Sequence, residues 1–158
     1  MNEQHFEHSD AVKLEKAMSK ITEPDLLVLK AHASIEHMIR CLLAARLGGD
    51  PKDLERLGAA LATKLALLGL QQTAFGKVVA TLGTLRNRIA HKIDSAPFDQ
   101  VSGFIAGVRA WTATDKSECR YAIPQSPTTG GGLDQLRWSL LTVFNHLCHL
   151  RAEVKPHR

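Results

Sequence analysis

The longest helical pattern in the sequence lies between Pro24 and Leu47, where the chain reads PDLLVLKAHASIEHMIRCLLAARL. Thr22 and Glu23 precede a proline in the first turn, and Gly48 and Gly49 follow the last apolar residue, as is typical of a helix with defined ends. The apolar positions recur at helical spacing and are Val28, Ile35, Ile39, Leu42 and Leu43. A single long helix with one apolar stripe must bury that stripe against other helices.

Similar start and stop signals predict the other helices, over about 10–20, 51–68, 71–91, 98–114 and 133–154. Ser9, Asp50 and the Ser95-Ala-Pro97 segment supply the caps, and Gly69 ends the third helix. No strand alternation of useful length and no internal repeat is found. The sequence therefore predicts an all-α, single-domain bundle of five to six helices over residues 1–158. Residues 1–8 are expected to be mobile, and 115–132, with two prolines and three successive glycines, to form a surface loop.

The composition fits one domain without a membrane segment. The 158 residues are 44% hydrophobic and 23% charged, and the formal net charge is +4. This mild basic excess suits a polyanionic partner without requiring one. Cys41, Cys119 and Cys148 form no CxxC pair, and no apolar run approaches the roughly 18 residues that span a bilayer. We expect a soluble, cytoplasmic protein with no disulfide framework.

The segment Arg86-Asn-Arg-Ile-Ala-His91 carries the most functional information. The apolar stripe of its helix runs through Phe75, Val78, Leu82, Leu85 and Ile89. At about 100° per residue, Arg86 lies roughly 50° from the centre of that stripe, Asn87 about 150° and His91 about 170°. Asn87 and His91 should therefore face away from the core, with Arg86 on the flank. A permanently charged arginine and a histidine that titrates near neutral pH can perform phosphate chemistry without a metal, which makes RNA the first substrate to consider.

Two polar residues of the long helix are predicted to support this segment. His32 and Glu36 fall within the apolar stripe of residues 24–47, and a buried carboxylate requires a partner. Arginine is the usual buried partner, so we predict that Glu36 pairs with Arg86. The alternative is that Glu36 and His32 lie at the solvent margin of a wide stripe.

Basic residues surround the same segment. Lys77, Arg88 and Lys92, with Arg86, are predicted to make one side of the helix basic and to hold an RNA backbone; an ordinary solvated face is an equally good interpretation. His146 and His149, beside Cys148, lack a third ligand and are expected to be surface residues. We predict no metal and no cofactor. Trp111 and Trp138 are expected to anchor the core or an interface, and Gly76 and Gly83 to mark close packing of a neighbouring helix.

The segment Leu85-Arg-Asn-Arg-Ile-Ala-His91, preceded by Leu29-Lys-Ala-His-Ala-Ser-Ile-Glu-His37, resembles the HEPN domain family. The signature of that all-α family is Arg, then four to six residues, then His, often with Asn directly after the Arg. The intervening spacing also resembles the branch that includes the mannitol-operon repressor-like proteins. The similarity covers about residues 26–92.

The resemblance implies a function as well as a fold. Many HEPN proteins are homodimers that cleave RNA without a metal and act as toxins or in phage defence. Arg86 and His91 would then be the catalytic pair, Asn87 would help to order them, and Glu36 would match a polar residue near the motif arginine. Ile93 stands where the branch paired with nucleotidyltransferase antitoxins often has Tyr, so an antitoxin of that type is less expected. The repressor-like branch implies an alternative, a non-catalytic module that regulates transcription or binds another protein.

Overall fold

The long helix predicted from the sequence is present as α2, Pro24–Leu47, in a computed structural model that describes residues 9–56, 58, 60–91, 98–114 and 132–154. Glu23 is its N-cap residue, with extended backbone and no side-chain capping bond, and Pro24 occupies the first turn. At the other end Gly48 adopts φ 73°, and its backbone N–H bonds to the Ala44 carbonyl. Such a left-handed residue ends a helix at little cost only when it is glycine.

The described residues form seven helices and no strand, which confirms the predicted all-α class. The helices are α1 Ser9–Ser19, α2 Pro24–Leu47, α3 Pro51–Arg56, α4 Leu61–Leu67, α5 Ala74–His91, α6 Phe98–Thr114 and α7 Gly132–Glu153. The predictions for residues 1–8, for Ile93 and Lys92, for the cap at 95–97 and for the loop up to residue 131 lie outside the described residues.

The prediction of one helix over residues 51–68 is wrong, because this segment forms two helices, α3 and α4. Its start is as predicted, since Asp50 Oδ1 accepts a hydrogen bond from the Lys52 backbone N–H at 2.8 Å. Between the two helices Gly58 has φ 57°, a left-handed conformation that interrupts helical geometry. After the break, α4 packs against both α2 and α5.

Helix α5 begins three residues later than predicted, after a capping residue that the sequence analysis did not single out. Thr73 Oγ1 accepts from the Gly76 N–H at 3.0 Å and donates to the Leu70 carbonyl at 2.7 Å. Gly76 is required there for a local reason: a Cβ at this position would collide with the Leu70 carbonyl. The close approach at Gly76 thus involves the turn before its own helix rather than a neighbouring helix.

Helix α7 lies at the centre of the bundle and packs against α1, α2 and α6. It is therefore buried on nearly every face, from Trp138 through His149. The prediction that His146 and His149 are surface residues is wrong; the His146 ring packs against the rings of Phe75 and Trp111 at centroid distances of 4.5 and 5.1 Å. Trp111 and Trp138 both belong to the core, as predicted.

Helix α5 packs against α2 and α4 on one flank and against α6 on the other. All five residues of its predicted apolar stripe are buried: Phe75, Val78, Leu82, Leu85 and Ile89. None of the helices in the described part of the chain is both long enough and apolar enough to cross a membrane.

Candidate functional site

The final turns of α5 present Asn87 and His91 on the side of the helix that faces away from the core, and Arg86 on its flank. Leu85 and Ile89 are buried, Arg86 is half-buried, and Asn87, Arg88 and His91 are exposed. This distribution agrees with the faces predicted from helical spacing. The helix is continuous through the whole segment, so the directions of Arg86 and His91 differ by about 140°.

Arg86 is oriented by its neighbour in sequence. Its Nη1 donates a hydrogen bond to Asn87 Oδ1 at 3.1 Å. A guanidinium has five N–H donors, so this bond leaves most of its donors for other groups. The role predicted for Asn87, to help order the arginine, is consistent with this contact.

The predicted ion pair between Glu36 and Arg86 is not found; Glu36 pairs with a lysine of α4 instead. Lys64 Nζ lies 3.2 Å from Glu36 Oε1, and the other carboxylate oxygen, Oε2, lies 3.9 Å from His32 Nδ1. The exposed fraction of Lys64 is only 5%, whereas the Glu36 side chain is 31% exposed. The carboxylate thus has the partner that burial demands, but the partner comes from α4 rather than from α5.

Gly83 allows α2, α4 and α5 to converge at this point. A Cβ at Gly83 would lie 2.8 Å from Leu61 Cδ2 and 4.0 Å from His32 Nε2. Gly83 therefore marks close packing of a neighbouring helix, as predicted, and that helix is α4. Arg86 follows Gly83 by three residues, so it lies on the same flank of α5, beside His32.

His32, Glu36, Lys64 and Arg86 form a cluster whose charges act on one another. Burial lowers the pKa of His32; Glu36 opposes this effect, and the charges of Arg86 and Lys64 add to it. Burial by itself raises the pKa of Glu36 and is the largest single effect. The hydrogen bond and charge of Lys64, together with the charges of His32 and Arg40, outweigh it, so the net change is a lower pKa. At neutral pH, His32, Glu36, Lys64 and Arg86 therefore comprise a neutral imidazole, a carboxylate and two cations, and Arg40 adds a third cation that acts on Glu36, so the net charge is positive.

Of the predicted RNA-binding residues, Arg88 and Lys77 lie within the described part of the chain, and neither lies beside Arg86. The guanidinium of Arg88 contacts the side-chain amide of Gln100 in α6. Lys77 lines the groove between α5 and α6. Arg86 lies toward α2 and α4, and Arg88 and Lys77 lie toward α6, with Asn87 and His91 on the exposed face between them. Among the described residues, Arg86 and the pair Arg88 and Lys77 therefore lie on opposite flanks of α5, rather than on the single basic side that was predicted.

Lys64 is the residue of this site that sequence reasoning missed. It lies three residues after Leu61 and four before Leu68, on the apolar side of α4, where a lysine is unusual unless it is paired. That position is the signal that would have identified it. No group of three or more His, Cys, Asp or Glu side chains in the described ranges is arranged to hold a metal ion.

Comparison with known proteins adds no relative: no protein-family model matches the sequence, and no curated protein or solved structure is significantly similar to it. Function is therefore inferred from the geometry of α2, α4 and α5.

Proposed function

We propose that this protein is a metal-independent endoribonuclease of the HEPN type, acting as a toxin or as a phage-defence effector. The observation that carries this proposal is the placement of Asn87 and His91 on the outer face of α5 and of half-buried Arg86 on its flank, in a helix whose apolar stripe is buried. An exposed imidazole and an exposed edge of a guanidinium can both reach a phosphodiester. Leu85 and Ile89, in the same turns of α5, are buried and fix the helix against the core.

The reaction needs only the chemistry of these side chains. The 2′-hydroxyl of RNA attacks the adjacent phosphorus, a bond forms between the 2′ oxygen and phosphorus, and the bond from phosphorus to the 5′ oxygen breaks. His91 accepts the proton of the 2′-hydroxyl and delivers it to the departing 5′ oxygen, since an imidazole can both accept and donate a proton. Arg86 stabilises the negative charge that develops on the phosphorane. The products are a 2′,3′-cyclic phosphate and a 5′-hydroxyl.

A homodimer completes the proposed site. Because α5 is regular, Arg86 and His91 of one copy point about 140° apart and do not converge on one phosphate by themselves. Two copies that face each other through the outer side of α5 bring an arginine of one protomer close to a histidine of the other. Arg88 and Lys77, on the α6 flank, would then contact the RNA backbone on either side of the cleaved bond.

The central experiment compares purified wild-type protein with His91→Ala on total RNA in EDTA. We expect the wild type to cleave RNA, to leave single-stranded DNA intact, and to produce 2′,3′-cyclic phosphate ends. His91→Ala is expected to abolish cleavage with little change in thermal stability, because the side chain is exposed. His37→Ala, at an exposed histidine of α2, is the matched control and keeps full activity. Cleavage that stops in EDTA, or that survives in His91→Ala, contradicts the mechanism.

A mixing experiment tests whether the site is shared between protomers. Arg86→Ala and His91→Ala are each expected to be inactive. If each site combines the arginine of one protomer with the histidine of the other, half of the dimers in an equal mixture are mixed, and one of their two sites is intact. About a quarter of wild-type activity should then return. A mixture that stays inactive after exchange of subunits argues against a shared site.

A non-catalytic HEPN-like module, which regulates transcription or binds another protein, is the second candidate. The observation that favours it is the same 140° separation, because one protomer alone does not hold an assembled site. Absence of RNA cleavage at concentrations where the protein is shown to be dimeric would favour this candidate over the nuclease.

A further inference from the structure

Cys41 and His37 form a thiol–imidazole pair on α2. They are four residues apart and share a face of the helix, and Cys41 Sγ lies 3.5 Å from His37 Nε2. Cys41 is half-buried and His37 is exposed, so both can be reached from solvent. With its ring proton on Nδ1, the imidazole accepts the hydrogen bond of the thiol at Nε2. A base within reach of the thiol proton is the arrangement that a nucleophilic cysteine needs.

The pair lines a groove between α1, α2 and α7. The volume of this groove is about 700 Å³, within the range of roughly 300–1,000 Å³ that small-molecule sites occupy. Its apolar lining includes the buried side chains Leu14, Met38 and Phe144. The pair therefore lies on the side of α2 toward α1 and α7, whereas Glu36 contacts α4. The groove is a separate site from the motif on α5.

The groove carries more positive than negative charge. Lys13 of α1, Lys30 of α2 and Arg151 of α7 line it and are exposed, whereas Asp10 is the one carboxylate among its described lining residues. Within the described part of the chain, none of the three cations forms an ion pair. Cations of one sign around a cleft raise the local concentration of anions and speed their association. The groove therefore favours an anionic reagent at the thiol.

We propose that Cys41 is a modification site for small disulfides that carry several carboxylates, with His37 as its base and the three cations of the groove as its carboxylate-binding groups. In the reaction, His37 Nε2 takes the thiol proton, Cys41 Sγ bonds to one sulfur of the reagent, and the disulfide bond of the reagent breaks. The departing sulfur takes the proton from His37. Cys41 is thereby oxidised to a mixed disulfide, and half of the reagent is reduced to a free thiol.

The test compares two disulfides of opposite charge, glutathione disulfide, a net anion, and cystamine, a net cation. The reduced full-length chain is incubated with each at neutral pH, and mass spectrometry with peptide mapping gives the rate of modification at Cys41. The reference is the same chain unfolded in urea, where Cys41 has neither groove nor base. Folding should raise the ratio of the glutathione disulfide rate to the cystamine rate about tenfold, and added salt should reduce this increase. Buried Cys148 is the internal control and should stay unmodified in the folded protein.

Variants separate the base from the charges. His37→Gln should slow both reagents equally, by about tenfold, because the base is lost and the cations remain. The double variant Lys30→Ala/Arg151→Ala should slow glutathione disulfide by about tenfold and leave cystamine as fast or faster. The matched control is Lys20→Ala/Lys52→Ala, which also removes two exposed positive charges but outside the groove, and should change the ratio of the two rates little.

Three results would overturn the proposal. The first is a ratio of the two rates at Cys41 that is the same in the folded and the unfolded chain. The second is a His37→Gln variant that reacts as fast as the wild type. The third is a groove double variant that keeps the wild-type preference for glutathione disulfide. None of these results depends on RNA cleavage, which is decided by its own assay.

Discussion

Replacement of Gly76 by alanine should destabilise the protein, although alanine is the better helix former. Gly76 lies in the first turn of α5, and a Cβ there would run into the carbonyl group of Leu70 and lie 3.2 Å from Thr73 Oγ1. The same two residues form the cap of the helix, since Thr73 Oγ1 accepts from the Gly76 N–H and donates to Leu70. The new methyl group therefore meets backbone, which cannot move without loss of the cap.

The magnitude follows from three contributions. Glycine to alanine in a helix stabilises by about 1 kcal/mol. Overpacking against groups that cannot relax costs about 1–3 kcal/mol, and loss of a capping side chain costs about 1 kcal/mol. The free energy of unfolding should therefore fall by about 1–3 kcal/mol. For a chain of this length, this corresponds to a decrease in Tm of roughly 3–10 °C.

Gly103→Ala is the matched control, because Gly103 lies within α6 and a Cβ there would have no heavy atom within 4 Å apart from the backbone of its own helix and its chain neighbours. The free energy of unfolding should rise by about 0.5–1 kcal/mol in this variant. Both values are measured by urea unfolding followed by circular dichroism, at one protein concentration, because dimerisation would make stability depend on concentration. If Gly76→Ala is as stable as Gly103→Ala, the steric explanation of Gly76 is refuted.

Three further predictions concern the core. Burial lowers the pKa of His32 below 6.5, so at pH below 6.5 the unfolded chain binds a proton that the folded chain excludes. As the pH falls below 6.5, the free energy of unfolding should therefore decrease by up to about 1.4 kcal/mol per pH unit. Urea titrations at several pH values should show a weaker dependence of this free energy on pH for His32→Gln. Arg137→Met should lower the free energy of unfolding by about 2 kcal/mol, because its Nε donates to the Met18 carbonyl at the end of α1; an unchanged urea midpoint would contradict this. Burial raises the pKa of Cys148 to about 12, so mass spectrometry should find iodoacetamide on half-buried Cys41 well before it reaches Cys148.

The ends of the helices were largely predictable from sequence because they depend on neighbouring residues. Pro24 and Gly48 bound α2 as predicted, and the chemistry that fixes each end lies within a few residues of it. The break between α3 and α4 was not predicted, because Gly58 interrupts an otherwise helical pattern and one glycine inside a helix is usually tolerated. The burial of His146 and His149 was also missed. Their burial depends on how many helices surround α7, and the sequence pattern of α7 alone does not indicate that number.

The outer face of the site was predictable for a similar reason. The directions of Arg86, Asn87 and His91 follow from the apolar stripe of their own helix, and their exposure agrees with it. The partner of Glu36 was not predictable from that stripe, because the choice lay between cations on two different helices. Arginine is the commoner buried partner, but the preference describes pairs in general and carries no information about which cation a given fold brings close.

The packing of α4 decides that choice. Gly83 has no side chain, so Leu61 can approach α5 closely, and this brings α4 near enough for Lys64, one turn further on, to reach Glu36 on α2. The lysine is then nearly excluded from solvent, and its charge must be neutralised inside the protein. With the carboxylate committed to that task, Arg86 keeps only the neighbouring Asn87 as its side-chain partner among the described residues. The same glycine that permits close helix packing thus determines which cation neutralises Glu36.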